Sequence, residues 1–512
     1  MSEHYDIIII GTGAGGGSLA HRLAPSGKRV LVLERGSFLP REKENWDTGQ
    51  VFGRDRYHTS ETWQDKDGRE IHPGTGYWVG GNTKVYGGAL FRLREQDFEV
   101  VEHEGGISPA WALKYRDFEP YYVEAEKLYQ VHGQQGLDPT EPARKENYPF
   151  PAISHEPRIQ EIHNDLQAKG LHPFYLPLAI KLNEVNHLFS ECIRCNTCDG
   201  FPCLVHAKSD ADVNCIRAAI SQENITLMAE AKVTRLHVSP SGREITSVEV
   251  ERAGQSQKFS ADIVVVSCGA INSAALLLSS ANDQHPTGLA NSSNQVGRNF
   301  MKHQNGAIVG ITRKPNPTIF QKTLGINDFY WGEPGFEYPM GHVQLLGKVN
   351  KDMIAMDAPK FAPGLALEEV ARRSVDWWLT AEDLPSSNNR VQVTNKGIHL
   401  EYTENNTKAY DRLLDRWTEV LKSIDCGDTI LPCSLYFRKR IPIQGVAHQV
   451  GTCRFGEDPQ ASVLDLDCRT HDVDNLYVVD GSFFPSSGAV NPSLTIIANA
   501  MRVGDHLLER LK

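Results

Sequence analysis

Three glycines near the start of the chain, Gly11, Gly13 and Gly16 in GTGAGG, have the Gly-x-Gly-x-x-Gly spacing of a pyrophosphate-holding turn. The first permits a tight turn, the second lets backbone approach a phosphate, and the third lets a helix pack closely on a sheet. The helix that begins around Ala14 would add free N–H groups and the positive end of its dipole. Such a turn on its own is common in purely structural settings. Glu34 makes it a fingerprint, because a carboxylate about 20 residues on accepts from both ribose hydroxyls and repels a 2′-phosphate. Arg35, beside it, falls in the same site. A second glycine-rich run, GYWVGGNTKVYGGALFRLR at 76–94, is too irregular for a helix or strand interior. It suits backbone laid against a flat or phosphorylated ligand through Gly80, Gly81, Asn82 and Val85, although a turn-rich connector would read the same way.

The third group with chemical potential is ECIRCNTCDGFPCLVHAKSD, where Cys192, Cys195, Cys198 and Cys203 follow at intervals of two, two and four residues, with Cys215 beyond. The run approaches an iron–sulfur pattern, but its last interval departs from the Cys-x3-Cys-Pro form. An iron–sulfur cluster, a zinc site and packed thiols all stay open. Packed thiols are favoured, so no metal is expected.

These residues need elements to position them. YDIIII at 5–10 reads as a buried strand, SLAHRLAPSG places Leu19, Ala20 and Leu23 on one helical face, and RVLVLERG at 29–36 is another buried strand. Strand, glycine turn, helix and strand make a βαβ unit on a parallel sheet. ITLMAEAKVTRLHV (225–238), which contains Val233, EITSVEVERAG (244–254) and KFSADIVVVSCGAINSAALLL (258–278), which contains Gly269, continue that unit. NLYVVDGSFF (475–484) and SLTIIANAMRVGDHLLERL (493–511) add a last strand and a closing helix. The predicted fold is therefore α/β, with a Rossmann-like domain assembled from residues 1–95, 191–304 and 446–512. A discontinuous α+β domain from 96–190 and 305–445 would form the other side. The segment 348–375 reads as a long loop, of the kind that forms a lid.

At 512 residues the chain exceeds one hydrophobic core. Its formal charge of -11 repels phosphate backbones, which excludes nucleic acid as a natural partner. The longest apolar runs are far shorter than the ~20 residues of a membrane helix. MSEHYDIIII has acidic residues where a secretion signal needs basic ones, so a cytoplasmic location with mostly reduced cysteines is expected.

HQVGTCRFG at 448–456 and NLYVVDGSFFPSSGAVNPSLTIIANA at 475–500 complete a series with GTGAGG, VGGNTKVYGG, FEPYYVEAEKLY (118–129), VVVSCGAINSAALLL, VGRNFMKH (296–303) and EDLPSSNNRV (382–391). In that order the blocks resemble the glucose-methanol-choline (GMC) oxidoreductases, FAD enzymes that oxidise alcohols and sugars. The resemblance implies His448 and Asn491 as a catalytic pair facing flavin N5. Alcohol oxidation needs a base for the hydroxyl proton while hydride leaves carbon, and histidine suits that task near neutral pH. Asn491 could hold the same oxygen in place. By the same resemblance Asp480, Gly481 and Pro492 contact the flavin. GGNTKVYGG contains no histidine and His58 and His72 lie outside it, so FAD is expected to be noncovalent.

The absence of a second Gly-x-Gly-x-x-Gly argues against NAD as the reoxidant, leaving oxygen or a quinone-type acceptor, with oxidase behaviour slightly favoured. The likeness extends to bacterial pyranose oxidases and glycoside 3-oxidases. It implies oxidation of a secondary hydroxyl of a sugar or glycoside, at C3 or C2 of a glucosyl unit. An aliphatic alcohol or sterol is the alternative substrate, and a non-redox hydroxynitrile lyase the alternative chemistry. Trp377, Trp378, Tyr436 and Phe437 could stack on a sugar, and Gln344, Arg390 and Gln449 could bond its hydroxyls, although core or surface roles explain each equally well.

Overall fold

The computed structural model describes residues 3–357, 364–424, 429–433, 440–445 and 447–512. Its first sheet has seven strands among the described residues. The strand His4–Ile10 lies between Val30–Leu33 and the long strand Gln255–Val266, parallel to both, with Ile10 opposite Leu33 on one side and Val266 on the other. Ile225–Met228 flanks Val30–Leu33, and Leu476–Val478 runs parallel on the far side of the long strand. The earlier half of that long strand pairs antiparallel with Ile245–Arg252, which pairs with Lys232–Val238. Ile7 to Ile10 and Val30 to Leu33 are buried on both faces, which is why these strands read as unbroken apolar runs rather than as alternating ones.

The helix Ala14–Leu23 buries Leu19, Ala20 and Leu23 against this sheet. The closing helix Ser493–Arg510 shares that layer with Tyr115–Leu128, where Tyr122 Oη lies 2.8 Å from Thr495 Oγ1. The parallel strands finish together at Gly11, Glu34, Ser267 and Val479, so one sheet edge collects four chain turns, the edge at which doubly wound sheets bind ligands.

The second sheet has, among the described residues, six strands in the order Thr429–Cys433, Gln304–Ile311, Ser374–Ala381, His342–Leu345, Leu324–Ile326 and Phe174–Tyr175, antiparallel throughout. Alternation gives its two faces different roles. Trp377 and Leu379 point to a core built with Ile159 and Ile162 of the helix Pro157–Ala168 and with Leu413 and Trp417 of the helix Thr407–Ser423. The Trp377 and Trp417 rings meet edge to face at 4.7 Å. Trp378 points the other way. A smaller sheet joins Arg390–Thr394 and Gly397–Glu401 to Trp63–Asp65 and Glu70–Ile71, two regions distant in sequence.

The segment 348–375 is not the loop that its sequence suggests. It forms the helices Lys351–Asp357 and Gly364–Arg373 and then enters a strand, with Met356 beside Gly53.

Candidate active site

A cavity of about 620 Å³ opens where the four strand ends face the second sheet. At its floor the glycine turn behaves as its spacing requires. Gly11 has φ +103°, and a Cβ there would lie 2.2 Å from Ser267 O. A Cβ on Gly13 would meet nothing within 4 Å, so it would project into the cavity where a phosphate must come up to backbone. Gly16 does not border the cavity. It is pressed onto Gly11 O, which is the helix-packing role of the third glycine. The helix begins at Ala14 without a side-chain cap, leaving its first N–H groups for an anion.

Glu34 ends the second strand and is 5% exposed. Its Oε2 accepts from Thr12 N (3.1 Å) and Thr12 Oγ1 (2.5 Å), and its Oε1 accepts from Gly36 N (2.9 Å). These donors offset part of the burial that pushes its carboxyl upward, and Oε1 keeps a lone pair for a ribose hydroxyl. Arg35 lines the cavity with its guanidinium 3.6 Å from the Tyr77 ring centre. Gly81 packs against Gly13, so the two glycine-rich segments form opposite lips of one slot. Gly80 sits behind that lip against Asp212, outside the lining, and the Asn82 amide bonds Thr75 and Gly76. Val85, Val233 and Gly269 also line the cavity.

Asp480 borders the cavity, but its carboxylate is already occupied. It accepts from Gly269 N, Ser273 Oγ, Ser482 N and Ser482 Oγ at 2.5–3.0 Å. The side chain therefore ties the turn after one strand to the turn after another, and its contribution to the cavity is positional. Gly481 allows close packing, since a Cβ there would lie 2.6 Å from Gln449 O. That contact holds the His448 segment over the strand ends. Asn491 and Pro492 complete this wall, together with Gln449.

His448 lines the cavity, and its Nδ1 lies 3.0 Å from Nδ1 of His303. His303 Nε2 is 3.2 Å from Ser487 O, which can only accept, so Nε2 carries the proton. Burial pushes His303 down to about 4, so it is neutral at pH 7 and its Nδ1 is a lone pair. His448 must then donate through Nδ1–H. Burial, with His303 adding to it, pushes His448 down to about 3, so that ring is neutral as well. Its Nε2 is consequently a bare lone pair with no hydrogen-bond partner among the described residues. An imidazole wired in this way can take a proton from a molecule in the cavity.

His303 was not singled out from the sequence, although it is the last residue of VGRNFMKH. It is fully buried and adopts φ +64°, a conformation rare for a non-glycine residue and characteristic of functional strain. Only the partner that folding brings to it, 145 positions away, reveals its role.

On the opposite wall Gln344, Trp378 and Asn305 come from the inward face of the six-stranded sheet. Trp377 is core, one residue out of phase. Arg390 begins a strand of the small sheet and does not border the cavity. Tyr436 and Phe437 lie outside the described residues. The cysteine-rich turn reaches the cavity through Asp199 and Gly200, and Lys208 Nζ donates to Cys198 O and Phe201 O to close it. Cys192, Cys195, Cys198 and Cys203 are free, and among the described residues no three His, Cys, Asp or Glu side chains converge as a metal site. His58, which lies outside the glycine run, does border the cavity, with Nδ1 3.1 Å from Asp55. Among the described residues no helix is long and apolar enough to cross a membrane.

The nucleotide floor, the neutral imidazole and the second sheet together define a flavoprotein oxidoreductase, and the chain belongs to the GMC oxidoreductase family, whose models match residues 5–305 and 433–500. Its cofactor is FAD and it acts on alcohols or sugars. Among similar proteins is the 6'''-hydroxyparomomycin C oxidase of Streptomyces lividus, 30% identical over 99% of this chain and 92% of its own. The paromamine 6'-oxidase of Streptomyces fradiae is 28% identical, covering 97% and 90%. The crystal structure of pyridoxine 4-oxidase from Mesorbium loti shares the fold with a TM-score of 0.70 at 20% identity, over 98% of this chain and 99% of that one.

Proposed function

We propose that the protein oxidises a ring hydroxyl of a pyranose or glycoside to a ketone, at C3 of a glucosyl unit ahead of C2, with His448 as the base. FAD, when bound, supplies the hydride acceptor at N5. His448 Nε2 takes the hydroxyl proton, Asn491 holds the same oxygen, and Trp378 offers a flat apolar face to the sugar ring. On this reading residues 1–95, 191–304 and 446–512 hold mainly the cofactor, and 96–190 and 305–445 mainly the substrate. FAD is held without a covalent bond, and reduced flavin discharges to oxygen or a quinone-type acceptor.

The observation that carries the reading is the unpartnered Nε2 of a neutral His448 in a cavity whose far wall carries Gln344, Asn305 and Trp378 beside aliphatic residues such as Leu346 and Ile441. A second reading, supported by the names of the two Streptomyces relatives, is oxidation of the exocyclic 6′ hydroxyl of an aminosugar to an aldehyde. Anaerobic stopped-flow mixing of the FAD enzyme with glucose, methyl glucoside, an aryl C-glucoside and paromamine tests both. Bleaching of the flavin band followed by a ketone in the product supports the first reading, and an aldehyde supports the second. No bleaching with any of the four defeats the sugar assignment, and admission of oxygen then separates oxidase from dehydrogenase.

A further inference from the structure

The imidazole of His303, which sets the tautomer of His448, faces two backbone carbonyls, Ser487 O at 3.2 Å from Nε2 and Gly488 O. Each carbonyl belongs to a peptide whose N–H is held on the far side. The N–H of the Ser487–Gly488 peptide donates to Glu382 Oε1 at 3.1 Å, and that of the Gly488–Ala489 peptide donates to Tyr330 Oη at 3.0 Å. Tyr330 Oη in turn donates to Asp97 at 3.0 Å. Asp383, next along the chain from Glu382, holds the other partner. Its Oδ2 accepts from Lys302 N at 2.9 Å and its Oδ1 from Gln304 Nε2 at 3.3 Å, one residue to either side of His303. Asp383 O also accepts from Ser487 Oγ at 3.0 Å. Two consecutive acids of EDLPSSNNRV therefore grip both ends of the bond between His303 and Ser487, and all of these side chains are buried.

The Glu382 carboxylate is surrounded by donors. Besides Gly488 N, Ser108 Oγ donates to Oε1 at 2.5 Å, and His103 Nε2 lies 3.1 Å from Oε2. Asn406 Nδ2, which donates to Glu382 O at 2.9 Å, also faces His103 Nδ1 at 3.2 Å, so Nδ1 accepts and the His103 proton on Nε2 points at the carboxylate. Burial raises the Glu382 carboxyl, but these donors outweigh it and hold the group below the usual carboxylate range. An ionised carboxylate only accepts. Gly488, at φ +58°, can take either sign of φ, so nothing intrinsic to residue 488 stops the Ser487–Gly488 peptide from turning over. Turned over, it would aim its oxygen at Glu382, two acceptors face to face in a dry interior, and its N–H at His303 Nε2. His303 would then carry its proton on Nδ1, His448 Nδ1 would accept, and the His448 proton would sit on Nε2, where it blocks uptake of a proton from the cavity.

We propose that Glu382 is a positioning residue for proton transfer: because it can only accept, it locks the polarity of the Ser487–Gly488 peptide and, through His303, keeps His448 Nε2 free to act as base. The effect on rate rests on the reading of His448 as base, whereas the peptide polarity does not. In Glu382→Gln the side chain offers an N–H as readily as an oxygen, so the turned peptide is tolerated. Gly488 O still favours the original tautomer, so only part of the population shifts. The limiting rate of anaerobic flavin reduction by methyl glucoside should fall by about 5- to 30-fold, with flavin content and substrate affinity unchanged. That loss should vanish in the His303→Leu background, where no imidazole remains to pass the peptide polarity on. Equal rates for Glu382→Gln and wild type overturn the proposal. So does the same fold-loss in both backgrounds, which is the behaviour of a residue that only stabilises the fold.

Neutron diffraction from deuterium-exchanged crystals of the holoenzyme reads the lock without turnover, and it decides alone if methyl glucoside leaves the wild-type flavin oxidised or the Glu382→Gln variant does not fold. In the wild type, deuterium is expected on His303 Nε2 and on His448 Nδ1, with the Glu382 carboxylate bare. Deuterium on that carboxylate, or none on His303 Nε2, overturns the proposal. If the map is as expected and His448→Ala reduces the flavin as fast as wild type, the reading of His448 as base fails and the peptide lock stands.

Discussion

Replacing His303 separates a proton-wiring role from a packing role. In the wild type Ser487 O fixes the proton on His303 Nε2, His303 Nδ1 accepts from His448 Nδ1–H, and His448 Nε2 is left bare. In His303→Leu the Nδ1–H of His448 has no acceptor, and an unpaired buried donor costs about 1–3 kcal/mol. The ring then shifts to the tautomer protonated on Nε2, which cannot take a proton, and the competent fraction falls by about 5- to 150-fold. His303→Asn behaves differently. Its side-chain oxygen replaces the acceptor at Nδ1, and asparagine tolerates the positive φ that this position has. The assay is the limiting rate of anaerobic flavin reduction by a saturating sugar substrate. His303→Leu should lose one to two orders of magnitude in that rate with substrate affinity little changed, and His303→Asn should stay within a few-fold of wild type. Equal rates for the leucine variant and the wild type, or equal losses for leucine and asparagine, would refute the wiring argument.

His448→Ala should reduce the flavin about 10²- to 10⁴-fold more slowly while still binding FAD, and unchanged reduction kinetics would remove His448 from the chemistry. Gly13→Ala should yield folded protein with little flavin, because its Cβ enters open cavity, whereas Gly11→Ala should yield little folded protein, because its Cβ meets Ser267 O at 2.2 Å. Flavin absorbance and melting temperature separate the two effects. Trp377→Ala should cost about 3–5 kcal/mol in denaturant unfolding, while Trp378→Ala should leave stability nearly unchanged and weaken substrate binding, and the reverse order would mean the sheet faces are exchanged. His303 has a folded value of about 4 against 6.5 unfolded, so the unfolded chain binds the extra proton and acid favours unfolding. Its share of stability is full above about pH 6.5 and is lost as pH falls toward 4. Wild type should therefore lose about 1.4 kcal/mol more per pH unit than His303→Asn across that window, and parallel curves in denaturant titrations at pH 7, 6 and 5 would contradict the burial of a neutral ring.

The nucleotide floor was legible in the sequence because its determinants are local. A βαβ unit with Gly11, Gly13, Gly16 and Glu34 lies within about 35 residues, and each glycine answers to a steric demand of its own turn. The resemblance carried by the C-terminal blocks pointed to His448, Asn491 and Asp480, all of which line one cavity. Asp480 shows the limit of that kind of evidence, since two of its four protein donors, Gly269 N and Ser273 Oγ, come from a turn about 210 residues away in sequence and appear only when the two turns meet. The helices Lys351–Asp357 and Gly364–Arg373 were hidden because Pro359, Pro363 and Gly364 make the sequence read as a loop. Arg390 and Trp377 failed as cavity residues for a different reason, because strand alternation assigns a side chain to a face only once the register with its neighbours is fixed. The protonation of the site is more remote still from the sequence. Nothing in VGRNFMKH states that His303 will face His448, or that a backbone carbonyl at Ser487 will set the tautomer of both rings. Local spacing determined the cofactor floor of this protein, and long-range packing alone decided which imidazole nitrogen of His448 faces the cavity, because a hydrogen-bond direction is fixed only when both partners are in place.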